Sequence, residues 1–366
     1  MYYYSTNYGG MLQAYALCKL LKKLGYEAEQ ISYVPNINYS GIKGSQKKKC
    51  SIIKKLCFKA KKVTNDLAFE KRKQRFHQFR DSIPHSPIIY NDSTIKNCAG
   101  IYDIYITGSD QVWNPDCYRP AFSLSFLGSE SIKVSYAASI GCIELCSTDK
   151  AKYEMDLADY KCISVREQEA VAQISPLVRK TVYKTLDPTL MISAVEWDKI
   201  KTKKQMSFPY LFCYFIGDNR IGRSIAYEYA KKKGLTIVMI PYVNGLINRY
   251  DRIPGAKRIM SASPEDFISL VSNAEMVFTD SFHATVFSCI YEKRFVVFKR
   301  TKTDKMVARI NSLLSLFDMK NAFCDDENKT NIEYVEKILE GEYKINKSLY
   351  EKEKKNSLAF IKMGCE

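Results

Sequence analysis

Short apolar segments ending in glycine or small polar residues, each followed by a helix-period pattern, recur along this chain. That alternation demands parallel strands joined by helical crossovers. Tyr102-Asp-Ile-Tyr-Ile-Thr107 runs into Gly108-Ser-Asp-Gln-Val-Trp113, Lys133–Ala138 into Ser139-Ile-Gly141, and Cys162-Ile-Ser-Val165 into Arg166-Glu167 and a helix. Thr181-Val-Tyr183 then reaches Asp187-Pro188, a proline stop. A second series begins at Pro209. Tyr210–Ile216 ends in Gly217-Asp-Asn219 before a helix near Ser224–Lys232, and Thr236–Ile240 precedes a polar loop at 242–262. Ser263 caps a helix with Glu265 and Asp266 in its first turn, Glu275–Thr279 runs into Asp280-Ser-Phe-His283 and a helix, and Phe295–Phe298 closes the series.

The N-terminus shows the same unit. Asn7-Tyr-Gly-Gly10 is a turn, Leu12, Tyr15, Ala16, Cys18, Leu20 and Leu21 mark one helix face, Gly25 ends it, and Glu29–Val34 is a strand. Only Tyr2–Tyr4 precede the turn, so either the first strand is abbreviated or the chain starts further upstream. The expected fold class is α/β, with two Rossmann-like domains facing a cleft. Residues 1–200 form the first, with a helical basic insertion at about 38–85. Residues 205–320 form the second, and 321–366 form a helical tail packing back across the first domain.

Charge and cysteine usage remove several function classes. The net charge is +16, but Lys43–Arg80 alone holds fourteen basic residues against Asp66 and Glu70. That is one basic appendage rather than a nucleic-acid surface spread over the fold, so no nucleic-acid partner is expected. Apolar residues recur among its lysines at helical spacing, predicting one or two amphipathic helices that either lie on an anionic membrane or present a solvated face. No apolar run approaches the ~18 residues of a membrane span, and Met1–Asn7 does not read as a secretory signal. The twelve cysteines include no CxxC, and His77, His85 and His283 are the only histidines, so neither a zinc site nor another metal site is expected. Reduced thiols in a cytoplasmic protein, peripheral at the inner face of the membrane if the basic segment docks there, are the expectation.

In open parallel sheets ligands bind beyond the carboxyl ends of the strands, where every polar cluster above falls. His283 lies in the first turn of its helix, where backbone N–H groups and the helix dipole favour an anion; it is either an anion ligand or a structural histidine. Asp280 and Ser281 either contact ligand or cap the helix. Arg166 suits a carboxylate or phosphate, and otherwise forms an ion pair with Glu167 or Asp187. Asp110 offers a general base and Gln111 an amide for sugar hydroxyls, unless the loop uses Asp110 in an Asx turn. Ser109 and Trp113 share that loop. Asn7, Tyr8, Gly9 and Gly10 line the same cleft without the spacing of a dinucleotide or P-loop motif.

Taken together, Asn7–Ala14, Asp103–Trp113, Ser139–Gly141, Ile163–Glu167, Leu186–Leu190, Thr279–Phe287 and Arg309–Leu314 resemble the polysaccharide pyruvyl transferase family, over residues 2 to about 315. The resemblance implies a two-domain fold similar to GT-B glycosyltransferases. It implies transfer of pyruvate from phosphoenolpyruvate onto two sugar hydroxyls, forming a ketal, in bacterial capsule or exopolysaccharide biosynthesis. His283 matches the family histidine at the donor site, and Arg166 matches an arginine that holds the donor. Some members carry a further arginine where this chain has Ser281. On this reading Arg166, His283, Ser281 and Asp280 bind phosphoenolpyruvate, with His283 as a proton donor. Asp110 is the base, and the residues at 7–10, Ser109, Gln111 and Trp113 face the acceptor, a lipid-linked sugar. No cofactor is implied. The alternatives are a glycosyltransferase using a sugar nucleotide in the same cleft and a non-catalytic binding protein that keeps the fold.

Overall fold

A computed structural model describes residues 4–36, 52–142, 144–203, 206–241, 249–300 and 307–366. In chain order, α1 (Tyr8–Lys23), β1 (Gln30–Tyr33), α2 (Ile52–Asp81) and β2 (His85–Tyr90) come first. β3 (Ile104–Thr107), α3 (Pro120–Ser123), β4 (Ile132–Ala138), α4 (Ser147–Leu157), β5 (Cys162–Val165), α5 (Gln168–Ile174) and β6 (Val182–Lys184) follow, then α6 (Ala194–Asp198). The second series comprises β7 (Tyr210–Tyr214), α7 (Arg220–Lys233), β8 (Thr236–Met239), β9 (Lys257–Arg258), α8 (Pro264–Ser272), β10 (Met276–Thr279), α9 (Phe282–Ile290), β11 (Arg294–Phe298), α10 (Val307–Ser315) and β12 (Phe323–Cys324). Two helices, α11 (Ile332–Glu340) and α12 (Ser348–Cys365), complete the chain.

All strand pairs among the described residues are parallel: β1 with β2, a four-stranded sheet in the order β3-β4-β5-β6, and a six-stranded sheet in the order β12-β11-β10-β7-β8-β9. The α/β fold expected from the alternation is the one observed. In the six-stranded sheet the winding direction reverses between β7 and β10. Their carboxyl ends therefore border the crevice where doubly wound sheets bind ligands. Thr279 pairs with Tyr214 on one side and Val297 on the other, which places Asp280–His283 directly beyond that switch point.

The two lobes share one apolar cluster. Leu12, Leu17, Leu20 and Leu21 of α1 share this cluster with Leu186, Leu190, Met191, Ile192, Trp197, Phe267, Val286 and Phe287. Burying such side chains contributes roughly 1.5–3 kcal/mol each. α1 thus lies between the lobes, and its N-terminus meets the edge of the second lobe. Tyr4 lies in a turn, and Tyr2 and Tyr3, the rest of the expected first strand, fall outside the described residues.

α2 covers the described part of the basic segment; residues 43–51 lie outside the described residues. One face of its C-terminal half packs on the second lobe, while Lys71 and Lys73 on the other face are exposed. The buried Arg72 guanidinium lies 4.8 Å over the Tyr8 ring and donates to the Pro241 carbonyl at 3.3 Å. Arg75 pairs with Asp266 and donates to the Ser261 carbonyl, and Phe76 and Phe79 are buried. Among the described residues no helix is long and apolar enough to cross a membrane.

α12 lies against the first lobe. The Leu186 amide donates to Ser357 Oγ at 2.9 Å, the Tyr350 hydroxyl donates to the Leu190 carbonyl, and Phe360 sits beside the rings of Tyr136 and Tyr183. Phe360→Ala should therefore cost about 3–5 kcal/mol, read as a shift in the urea unfolding midpoint.

Candidate active site

Asp187 follows β6 and caps the turn at Pro188–Met191, its Oδ1 accepting the Thr189 amide and hydroxyl at 3.0 and 2.6 Å. Its Oδ2 accepts from Ser109 Oγ at 2.9 Å and from Arg166 Nη1 at 2.8 Å, and His283 Nε2 stands 3.6 Å away. Arg166 and His283, one from each lobe, thus meet at one carboxylate oxygen. Burial alone would raise the Asp187 pKa, but His283, Arg166 and Thr189 outweigh it and hold the group well below the carboxylate range.

Arg166 is buried. Its Nε donates to Glu167 Oε1 at 3.1 Å, Nη2 lies 3.9 Å from Asp110 Oδ1, and the guanidinium lies 4.3 Å over the Phe282 ring. Both ion pairs anticipated for it are therefore present. Burial would lower its pKa, yet Glu167, Asp187 and Asp110 together raise it. Glu167 in turn accepts from Ser139 Oγ at 2.7 Å.

His283 is the second residue of α9, which Ser281 caps by accepting the Ala284 amide at 3.4 Å. Its ring lies against Gly9. A Cβ at position 9 would stand 2.0 Å from His283 Nδ1, so only glycine admits the imidazole there. Asn7 caps α1 by accepting the Gly10 amide at 3.2 Å, and a Cβ on Gly10 would lie 3.9 Å from Asp110 Oδ2. The N-termini of α1 and α9 therefore converge on Asp110, Arg166 and His283. Neither helix has an acidic residue in its first turn, so both positive dipole ends remain unmatched by their own side chains.

Asp110 adopts φ +74°, a left-handed conformation that Asp tolerates better than most residues. Its backbone carbonyl accepts the Ser139 amide at 2.9 Å, and its carboxylate is part exposed. Arg309 of α10 reaches the same loop: Nη1 lies 4.0 Å from Asp110 Oδ1, and the Gln111 amide oxygen, oriented to satisfy both groups, accepts from Nη2 at 2.9 Å. Burial and then Arg166 bring Arg309 down to about 10.

Four expected site residues serve the scaffold instead. Trp113 is fully buried with its indole N–H on the Phe122 carbonyl, so it cannot face an acceptor. Tyr8 is buried among Phe76, Tyr214 and Phe267, with its hydroxyl on the Ala262 carbonyl. Ser109 is buried and spends its hydroxyl on Asp187. Asp280 accepts the Ile216 and Gly217 amides at 2.6 and 2.8 Å, bridging the ends of β7 and β10; burial above all raises its pKa, against Arg300 3.8 Å away. A Cβ on Gly217 would stand 2.9 Å from that carboxylate, which explains the glycine.

A model of the polysaccharide pyruvyl transferases matches residues 7–301. The chain belongs to the polysaccharide pyruvyl transferase family. The family makes it a transferase. No curated protein matches the chain. Among solved structures it is similar to the UDP-GlcNAc 2-epimerase of Neisseria meningitidis bound to UDP-GlcNAc, at 13% identity and TM-score 0.55, over 98% of this chain and 97% of that one. It is likewise similar to the UDP-GlcNAc 2-epimerase of Methanocaldococcus jannaschii in complex with UDP-GlcNAc and UDP, at 13% identity and TM-score 0.52, over 96% of each chain. At that identity the likeness shows a shared GT-B-type fold.

Sequence reasoning had not made Asp187, Glu167 and Arg309 site residues of this transferase, although each stands in one of the segments that carry the family resemblance. Their signal was an ionisable residue at a strand end or early in a helix, and their convergence needed the fold. Among the described residues no group of three or more His, Cys, Asp or Glu is placed to hold a metal ion. Because Asp187 is held below its unfolded value, its contribution to stability is complete above roughly pH 3.9 and is lost as pH falls further. Asp187→Asn should lower stability at pH 7 by about 3–5 kcal/mol and flatten the acid limb of urea unfolding measured against pH.

Proposed function

We propose that this transferase moves the pyruvyl group of phosphoenolpyruvate onto two hydroxyls of one sugar, forming a cyclic ketal. The observation that carries this reading is the meeting of Arg166 and His283 at Asp187, beside the N-terminus of α9. A small donor with a carboxylate and a phosphate is held by that combination of guanidinium, imidazole and helix N-terminus. Asp187 acts as a positioning residue that aims Arg166 and His283; Ser281 caps α9 and Asp280 ties β10 to the end of β7 rather than touching donor.

The chemistry divides as follows. His283 delivers a proton to C3 of the enolpyruvyl group, leaving C2 electrophilic. Asp110 accepts the proton of the first sugar hydroxyl as its oxygen bonds to C2. The second hydroxyl oxygen then bonds to C2, the C2–O bond to phosphate breaks, and that hydroxyl proton leaves with the phosphate. Two hydroxyl protons are released, one replacing the proton given to C3 and one ending on inorganic phosphate. Arg166 donates hydrogen bonds to a donor oxyanion. Gln111, at the part-exposed edge beside Asp110, faces the acceptor. The space lined by Arg166, Asp187, Phe282 and Arg309 is about 20 Å³, room for a water molecule. The acceptor is a lipid-linked sugar of surface-polysaccharide assembly, met by a cytoplasmic enzyme at the inner face of the membrane.

Incubation with phosphoenolpyruvate and nitrophenyl or lipid-linked sugars should release phosphate and add pyruvate less water to the sugar mass. His283→Ala should abolish turnover while remaining folded, and Arg166→Ala should abolish turnover at a cost of about 3–5 kcal/mol in stability, because it leaves Glu167 and Asp187 buried without their guanidinium. Gly9→Ala, which drives the imidazole from its place, should lower kcat on the order of 10²-fold. A melting-temperature rise with UDP-sugars and none with phosphoenolpyruvate would instead favour a sugar-nucleotide donor; the two epimerases were solved with UDP-GlcNAc bound. Retained turnover in both alanine variants would refute the proposed roles.

A further inference from the structure

Arg309 has no part in the chemistry above, yet it is drawn into the same place from the other lobe. It stands in the first turn of α10, with its side chain only 7% exposed. Its guanidinium crosses to the loop that carries Asp110 and Gln111, and it lines the 20 Å³ space together with Arg166 and Phe282. Nη2 of Arg166, buried as well, makes no hydrogen bond among the described residues. Two buried guanidiniums bordering one cavity repel each other, and burial first and that repulsion second lower the Arg309 pKa, outweighing Glu167 and the Asp110 carboxylate that stands 3.9 and 4.0 Å from the two. Arg166 is already matched by Glu167 and Asp187 at contact distance, so it has little charge to spare for a multiply charged ligand. An oxyanion entering between the two arginines relieves their repulsion and satisfies the unmade hydrogen bond. A neutral sugar hydroxyl does the second at most.

We propose that Arg309 is a donor-anion ligand, gripping together with Arg166 one oxyanion group of the donor, its phosphate or its carboxylate. This rests on the phosphoenolpyruvate reading for the identity of the donor, but not for the existence of the anion site.

Arg309→Gln and Arg309→Lys in the full chain test it, with circular dichroism to confirm the fold. The expected result is a KM for phosphoenolpyruvate raised at least tenfold in Arg309→Gln, kcat changed less, and partial recovery in Arg309→Lys. Inhibition by inorganic phosphate and by pyruvate tells the two groups apart: the one whose inhibition is lost in Arg309→Gln is the one Arg309 holds. A folded Arg309→Gln with unchanged KM and both inhibitions intact overturns the proposal. So does a loss confined to kcat, which would make Arg309 a positioning residue for Asp110. If the wild type does not turn over phosphoenolpyruvate but inorganic phosphate raises its melting temperature, and Arg309→Gln abolishes that rise, the anion site stands and the donor assignment falls. Absence of both turnover and the phosphate effect in the wild type overturns the two together.

Discussion

The carboxylate of Asp187 is the joint on which the site is built. A fully buried charge is costly unless every lone pair is used. Here Thr189 and Ser109 supply neutral donors, Arg166 a charged one, and His283 approaches the same oxygen from the second lobe. Because these partners come from β3, β5 and α9, the carboxylate fixes three strand ends and one helix start relative to one another. The orientation of Arg166 and His283 is thus decided by a residue that is itself shut off from solvent.

The charge around this joint is close to balanced. Arg166, Arg300 and Arg309 face Asp110, Glu167, Asp187 and Asp280, so the side chains carry no surplus of positive charge. Their placement is what distinguishes the site. Asp280 and Asp187 are saturated by amides, hydroxyls and guanidinium groups that point at them, while the N-termini of α1 and α9 present backbone N–H groups with no acidic residue in their first turns. In a water-poor site such fixed dipoles act strongly.

Lobe contact is equally specific. Gly9 admits the imidazole of His283, Arg309 reaches Asp110 and Gln111, and Arg72 and Arg75 of α2 anchor on the loops around 241 and 261. Each pair joins one lobe to the other, so the site is built across the contact between the lobes.

Strand, turn and helix order was legible in the chain because burial on both faces of a parallel sheet forces short apolar runs, and crossovers force amphipathic helices between them. The capped start of α8 at Ser263 and the placement of His283 in the first turn of α9 follow from local chemistry that four or five residues contain. Local pattern could not separate Trp113, Tyr8 and Ser109, which sit in polar-looking loops yet are buried, from Gln111 and Asp110 beside them, because burial is set by partners distant in sequence. Nor could it turn Asp187, Glu167 and Arg309 into one site, since residues 167 and 309 meet around Arg166 only after two sheets have folded and closed on each other. The sequence by itself determined most of the elements, though not the strands β2, β9 and β12, and the ends at which chemistry gathers. Tertiary structure decided which of those ends touch, because hydrogen bonds and Coulomb forces act across ångströms of space and carry no memory of distance along the chain.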